Sequence, residues 1–446
     1  MNNLKKYIEL LYKSRTKTTQ EQLNIVQDIS RRGFLHQIID ISLFGMMANT
    51  CCSLPSDYSK FLPDMGDSDR LNLSPIDATF LGKKIIDSIA NKDDMLVDYD
   101  LIAYLNLIGE NLTSYSPLAS TQIFNFYALR SKEINAFALP GGYICIYNGL
   151  IYTTQSEAEL AGVMSHEIGH IVQHHIFRNI SVYNRNQWLI LAGIIAGAIL
   201  APINPGAAVM AANGGQGLAI QNILAFSRDF EREADRVGQN LMYNAGFNAH
   251  AMPSFFARLQ NADKFNSNDA LAFLQTHPVT IERLSEAQLR ANQLPVKMRL
   301  DSKIFLMIRE KCRVRQMGIT QVINFYQQSL KKKRYSDINT LYYGYAFACL
   351  GNSTPLNTLA YLNKIHEPTI TNHPAFYSLK ALAYAKTGKI NDAQKIYEQA
   401  LSLFPNYKGL WIGRVDVVIS AKQFKLAGAY LSSLSDQYPN DIDIWS

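Results

Sequence analysis

The sequence predicts an α+β, mostly α-helical protein: a globular domain over about residues 62–298, then an all-α repeat domain over about 300–446, with residues 1–50 as a leader region. Three segments carry that prediction. Ser156–Val172 reads as a helix that is apolar on most sides, as a core helix must be. Ser227–Gly246 reads as a second helix, charge-rich on one side and small or apolar on the other. Residues 374–407 follow a 34-residue helical-hairpin repeat.

At the N-terminus, residues 1–32 are polar and charged, and Phe34–Ala48 is an apolar stretch preceded by Arg31-Arg32. That is the order of a secretory signal, with cleavage after about Ala48, and Ser30-Arg31-Arg32-Gly33-Phe34-Leu35 resembles a twin-arginine signal. Asp40 and His36 interrupt the apolar core, and Ala48-Asn49-Thr50 ahead of Cys51-Cys52 makes a poor lipobox. Export, with a signal near residues 30–48, is the expectation.

The first helix of interest opens on Ser156 and Glu159, spaced as a capping box, and continues through Leu160, Val163, Met164, Ile168, Ile171 and Val172. Inside it lies His166-Glu167-Ile168-Gly169-His170. Histidines four apart lie on one helical face, one turn from each other, so both imidazoles can reach one metal ion. The glutamate between them is placed to take a proton from an attacking water without being a ligand itself. Two nitrogen ligands, a general base and an open position are the minimal zinc hydrolase. A buried helix with three polar groups on one side must in any case pair or ligate them.

A third ligand is expected on the downstream helix. Glu231 shares a face with Ala234, Asp235, Gly238 and Leu241, whereas Glu233 falls on nearly the opposite side. Ala234 and Gly238 are small enough to let this face approach another helix. Glu231 is therefore the expected third ligand, and Asp235 the expected acceptor for the free N–H of a ligand histidine. Gly246 is the expected C-terminal cap.

His-Glu-Ile-Gly-His paired with Glu231-x-x-x-Asp235 resembles the gluzincins, and within them the M48 family of zinc metallopeptidases. Glu133-Ile134-Asn135-Ala136-Phe137-Ala138-Leu139-Pro140-Gly141-Gly142 resembles the strand and turn that precede the zinc helix there, and Thr276-His277-Pro278 with Glu282-Arg283-Leu284 resembles a further family segment. The similarity runs densely from about Leu62 to Pro295 and points to the subgroup that ends in tetratricopeptide repeats. The resemblance implies one Zn²⁺ per chain and a substrate backbone pairing beside Asn135 and Ala136 on an edge strand. It also implies that His277, in an extended loop before the helix near Thr280, can take the fourth zinc position and hold the site shut. Substrates would be unfolded or stalled outer-membrane proteins, in the periplasm of a Gram-negative bacterium. Two other readings stay open: a chaperone or assembly adaptor whose zinc site is mostly closed, and a protease dedicated to processing one substrate.

Between the two ligand-bearing helices, Asn186–Ser227 has no charged residue, and Trp188–Ala201 is an apolar run of fourteen residues, shorter than the roughly twenty that span a bilayer. This insert is either a mobile apolar lid that touches a membrane or an unfolded chain, or a helical hairpin that fills the core. After about residue 300, Ala381, Tyr384, Gly388, Ala393, Tyr397, Ala400 and Pro405 occupy the packing and turn positions of the 34-residue repeat. Units at about 337–370 (Gly344, Phe347, Gly351, Pro368) and 408–441 (Trp411, Ala427, Pro439) match less fully, and Lys380 departs from the pattern. Such arrays bind proteins on a concave face, here by implication the outer-membrane assembly machinery. Few repeats should need support from the globular domain.

Composition excludes other classes. In 446 residues, 43 Lys and Arg against 37 Asp and Glu give +6, too mild a charge for a nucleic-acid binder, and Lys331-Lys332-Lys333-Arg334 reads as a solvated helix end rather than a lipid contact. Five cysteines form no CxxC pair; Cys312 and Cys349 can either bridge or stay as core thiols.

Overall fold

Ser156 opens the central helix of the molecule by accepting the Glu159 backbone N–H at 3.2 Å. A computed structural model describes residues 74–90, 94–180, 227–264 and 268–438, all within one compact unit, Asp67–Ser446. The leader with its signal near residues 30–48, Cys51 and Cys52, the insert over 186–226, and Pro439 lie outside the described residues.

The globular part begins with α1 (Pro75–Ala90) and α2 (Tyr99–Thr113), then β1 (Asn125–Leu129), β2 (Ala136–Leu139) and β3 (Tyr143–Tyr147). The sheet order is β1-β3-β2, with β1 parallel and β2 antiparallel to β3, so β2 is an edge. The hairpin between β2 and β3 turns on Gly141 and Gly142, both at positive φ, where a Cβ at Gly141 would sit 2.5 Å from the Thr79 backbone. This close contact ties the end of β2 to α1.

Beyond the sheet come α3 (Asn148–Thr153), α4 (Glu157–Val172) and α5 (His175–Ile180), then α6 (Arg228–Asn244), α7 (Ala251–Lys264), α8 (Asn268–Thr276) and α9 (Ile281–Asn292). α4 is the core helix that the sequence predicts: Leu160, Val163, Met164, Ile168, Ile171 and Val172 are all buried. At about 1.5–3 kcal/mol each, burial of such side chains offsets the cost of enclosing polar groups beside them. The capping box is modified. Glu159 accepts the Gln155 N–H at 2.7 Å and a two-toothed ion pair from Arg258, which ties α4 to α7.

α6 starts on Ser227, whose side chain accepts the Phe230 N–H, and it ends as expected at Gly246, φ +92°. It lies hard against α4. A Cβ on Gly238 would come within 2.8 Å of the Ser165 carbonyl oxygen, and one on Gly169 within 2.8 Å of the Ala234 carbonyl oxygen. Glycine on both helices thus sets the backbone separation that brings Glu231 to the histidines.

The remaining helices are α10 (Lys303–Met317), α11 (Ile319–Lys332), α12 (Ile338–Gly351), α13 (Pro355–Leu362), α14 (Pro368–Thr371), α15 (Pro374–Lys386), α16 (Ile390–Leu403), α17 (Lys408–Ser420) and α18 (Phe424–Gln437). The 374–407 repeat is the pair α15 and α16. Ala381, Ala393, Tyr397 and Ala400 are fully buried, and Gly388 turns at φ +82°. The basic run at the end of α11 is exposed. Cys312 and Cys349 are free, buried thiols in separate apolar clusters. Among the described residues no helix is long and apolar enough to cross a membrane.

α10 belongs to two cores at once. Phe305, Leu306, Ile308 and Cys312 pack into the globular core, while Met307 and Val314 pack among the repeat helices. Around it lies a buried charged junction. Lys311 Nζ meets Asp98 Oδ1 at 2.7 Å and Asp100 Oδ2 at 2.6 Å, Arg315 also binds Asp98, and the Tyr407 hydroxyl donates to Asp100 Oδ1 at 2.8 Å. The expected support of the repeats by the globular domain is therefore ionic as well as apolar.

Burial alone would raise the Asp98 carboxyl, but Lys311 and Arg315 hold it well below its ordinary value. A depressed carboxyl stabilises fully above the unfolded pKa, about pH 4, and that contribution is lost as pH falls toward the folded value. Lys311→Met, which leaves Asp98 to Arg315 and Asp100 with only the Tyr407 hydroxyl, should destabilise the protein by about 3–5 kcal/mol in urea unfolding at neutral pH. A change below 1 kcal/mol would mean that the junction is hydrated rather than sealed.

Candidate metal centre

α4 delivers His166, Glu167 and His170; α6 delivers Glu231 and Asp235; the end of α8 delivers His277. All six side chains are essentially inaccessible to solvent. Donor atoms of His166, His170, Glu231 and His277 lie within 4.8 Å of one another. His166 Nε2 is 3.1 Å from His170 Nε2 and 3.3 Å from His277 Nδ1. Glu231 Oε1 is 3.4 Å from His170 Nε2 and 3.0 Å from His277 Nδ1.

These spacings fit a tetrahedral zinc. Metal–nitrogen bonds of about 2.0–2.1 Å imply donor-to-donor edges of about 3.3 Å. The nitrogen and carboxylate donors are of the right type, and the charge balance agrees. Burial disfavours a charged His166, yet hydrogen bonds that its ring donates to the Asp235 and Glu231 carboxylates push its pKa up to about 10. The carboxylates thus make this a cation-seeking pocket. Burial would also raise Glu231, but His277, Arg283, His166 and His170 together hold its carboxyl well below the ordinary range. His170 goes the other way: burial lowers it to about 3, leaving a neutral ring able to donate a lone pair.

Asp235 stands where the sequence places it, with Oδ1 2.9 Å from His166 Nδ1, so that Nε2 faces the centre. Glu233 does not enter the cluster; about a third exposed, it meets His175 Nε2 at 2.9 Å. Glu167 is not among the clustered donors. Neither of its oxygens has a well-formed hydrogen bond; His277 Nε2 is 3.5 Å away and the Ala138 backbone N–H faces the carboxylate. Burial raises its pKa, against the opposing influence of His277 and His166.

Ala136 begins the edge strand β2, and Asn135 stands immediately before it. The Tyr147 N–H donates to the Asn135 carbonyl at 3.0 Å, so antiparallel alternation turns the backbone of Ala136 and Ala138 toward the free edge. That edge is covered: Asn135 Oδ1 accepts the Ala136 N–H at 2.9 Å, and the Thr276 hydroxyl reaches the same oxygen. His277 stands immediately after the last residue of α8, at the head of the non-helical stretch that the sequence expects before the helix near Thr280, and its N–H donates to the Phe273 carbonyl at 2.7 Å, which ties it to the end of α8.

The sequence pattern of peptidase family M48 matches residues 102–291, and that of a tetratricopeptide repeat matches residues 384–446. The chain carries an M48 peptidase domain and C-terminal tetratricopeptide repeats. It is 32% identical over 239 residues to the beta-barrel assembly-enhancing protease of Escherichia coli (strain K12), covering 54% of this chain and 49% of that protein. With the protein of that name from Yersinia pestis the figures are 33% over 233 residues, 52% and 48%. With the mitochondrial metalloendopeptidase OMA1 of Arabidopsis thaliana they are 32% over 148 residues, 32% and 27%. The chain spans about half the length of these bacterial relatives.

Two residues of the M48 domain's centre escape sequence reasoning. Arg283 is buried and clasps Asp235 through Nε and Nη2, both at 2.8 Å, while Nη1 reaches Glu231 Oε2 at 2.7 Å and the Pro278 carbonyl at 2.8 Å. It joins the acidic groups of α6 to the His277-Pro278 turn. Its sequence signal is its place in the Glu282-Arg283-Leu284 segment after that turn, which gives it no stated role. His175, at the start of α5, lies with Nδ1 3.0 Å from His170 Nδ1. Five residues from His170, it is off the helical repeat and reaches the site only because the chain turns at His174, φ +54°.

Proposed function

We infer that the protein is a zinc-dependent endopeptidase of the bacterial envelope that acts on unfolded or misassembled outer-membrane proteins. The observation that carries this reading is Glu167: an enclosed carboxylate without well-formed hydrogen bonds, beside a cluster of three imidazoles and a carboxylate. A purely structural zinc site has no use for such a group. His166, His170 and Glu231 would hold Zn²⁺, with His277 as a fourth, regulatory donor. The metal, when bound, supplies Lewis acidity toward a peptide carbonyl and a water.

The chain's own residues do the rest. Glu167 takes a proton from the attacking water and returns it to the leaving amine nitrogen; its raised pKa suits both directions. Asp235 and Arg283 keep His166 and Glu231 in place. Substrate in extended form would add to the free edge of β2 through the backbone of Ala136 and Ala138, after Asn135 and Thr276 give way. Such pairing selects unfolded chains. The repeats would engage a partner of the assembly machinery, and the names of the bacterial relatives, which speak of beta-barrel assembly, support an envelope location.

With Glu167 and His277 sealed from solvent, the described conformation is closed, which also favours a second reading: a chaperone or adaptor whose site rarely opens. Cleavage of casein that stops with chelator and returns with zinc supports the peptidase; chelator-insensitive cleavage, or none under any condition, favours the adaptor. His277→Ala should raise basal cleavage by freeing the fourth position. A fall with zinc retained would make His277 a transition-state donor.

A further inference from the structure

The two histidines of α4 are oriented by different means. His166 rests its Nδ1 directly on Asp235. His170 turns Nε2 toward the centre, and its Nδ1 meets a second imidazole, His175 Nδ1, at 3.0 Å. The other nitrogen of His175, Nε2, lies 2.9 Å from Glu233 Oε2. We propose that Glu233 and His175 form a relay that fixes the tautomer and ring angle of His170, making both of them positioning residues for the metal centre.

Proton bookkeeping supports the assignment, which rests on the zinc reading above. A histidine that ligates through Nε2 carries its proton on Nδ1. That N–H points at His175 Nδ1, which must then present a lone pair, so the His175 proton sits on Nε2 and donates to the Glu233 carboxylate. The three contacts agree on one arrangement.

The surroundings hold His175 to this geometry. Its ring is fully buried and stacks on Phe230, with centroids 4.4 Å apart and planes 3° from parallel. Arg178 lies over Phe230 at 4.1 Å and pairs with the same Glu233 oxygen at 3.0 Å. Glu233 is about a third exposed, so the relay runs from an enclosed ligand to the surface of the domain. α5 and α6 are joined to the last turn of α4 at this point.

The test measures Zn²⁺ affinity of the full chain by competition with a chromophoric chelator, and the visible spectrum of the Co²⁺-substituted protein. His175→Phe keeps the ring and its stack on Phe230 but removes both nitrogens. It should weaken Zn²⁺ binding by about 10–100-fold and shift the Co²⁺ bands. Glu233→Gln should match the wild type in both readouts, because an amide oxygen still accepts from His175; Glu233→Met should weaken binding severalfold. Packing alone predicts the reverse pattern: no effect of His175→Phe, and no rescue by glutamine over methionine. If His175→Phe does not fold, Glu233→Met against Glu233→Gln decides. Wild-type affinity and spectrum in every folded variant would overturn the relay alone, whereas a wild type that takes up no Zn²⁺ would overturn the zinc reading and the relay with it.

Discussion

Glu167→Gln should leave zinc content unchanged while cleavage of an unfolded protein falls by about 10²–10⁴-fold, the usual cost of losing a general base. Glutamine has nearly the shape of glutamate, and the Glu167 side chain is not among the clustered donors, so the centre itself is not disturbed. Its oxygens lack well-formed hydrogen bonds, so the substitution breaks none that hold the fold together. It removes a carboxylate whose charge is opposed by burial, so thermal stability should hold or rise slightly. Metal analysis and a casein assay on the same preparation check this. Activity within tenfold of the wild type would remove Glu167 from the mechanism and move the balance toward the adaptor reading.

Glu231→Gln should instead empty the centre. Glu231 is the one anionic group among the four clustered donors, and Arg283 and His277 hold it charged against the pull of burial. A neutral amide is a far weaker zinc ligand, so the loss of affinity should exceed the roughly 10–100-fold typical of removing a partner that merely orients a ligand. The substitution also takes the charged partner at 2.7 Å from Arg283 Nη1, leaving Arg283 to Asp235 and the Pro278 carbonyl, so thermal stability should fall as well. Glu233→Gln, one helical side away, is the matched control and should stay loaded. A reversal, with Glu231→Gln full of zinc and Glu233→Gln empty, would mean that the wrong face of α6 looks at the histidines.

Much of the centre was legible in the sequence because helical periodicity is a local rule. The four-residue step from His166 to His170, and from Glu231 to Asp235, places each pair on one face whatever the rest of the chain does. The small residues Ala234 and Gly238 mark where α6 comes close, and the structure adds Gly169 as the reciprocal gap on α4. The 34-residue spacing of the repeats is legible for the same reason. Composition added little beyond excluding other classes.

Other features depend on where separate segments meet. Periodicity does not place the loop residue His277, which is sealed into the cluster because the end of α8 folds over β2. Arg283 belongs to a segment that resembles the family, but its role emerges only when Asp235 and Glu231 are both opposite it. His175 lies off the helical repeat and depends on one left-handed residue, His174. The role of α10 as a wall shared by two cores, and the Asp98, Asp100 and Lys311 junction, join residues more than two hundred positions apart. The sequence by itself determined which residues share a helix face, since that follows from a fixed rotation per residue. Only the tertiary structure decided which faces meet, because burial turns isolated charges into partners and no local period records that choice.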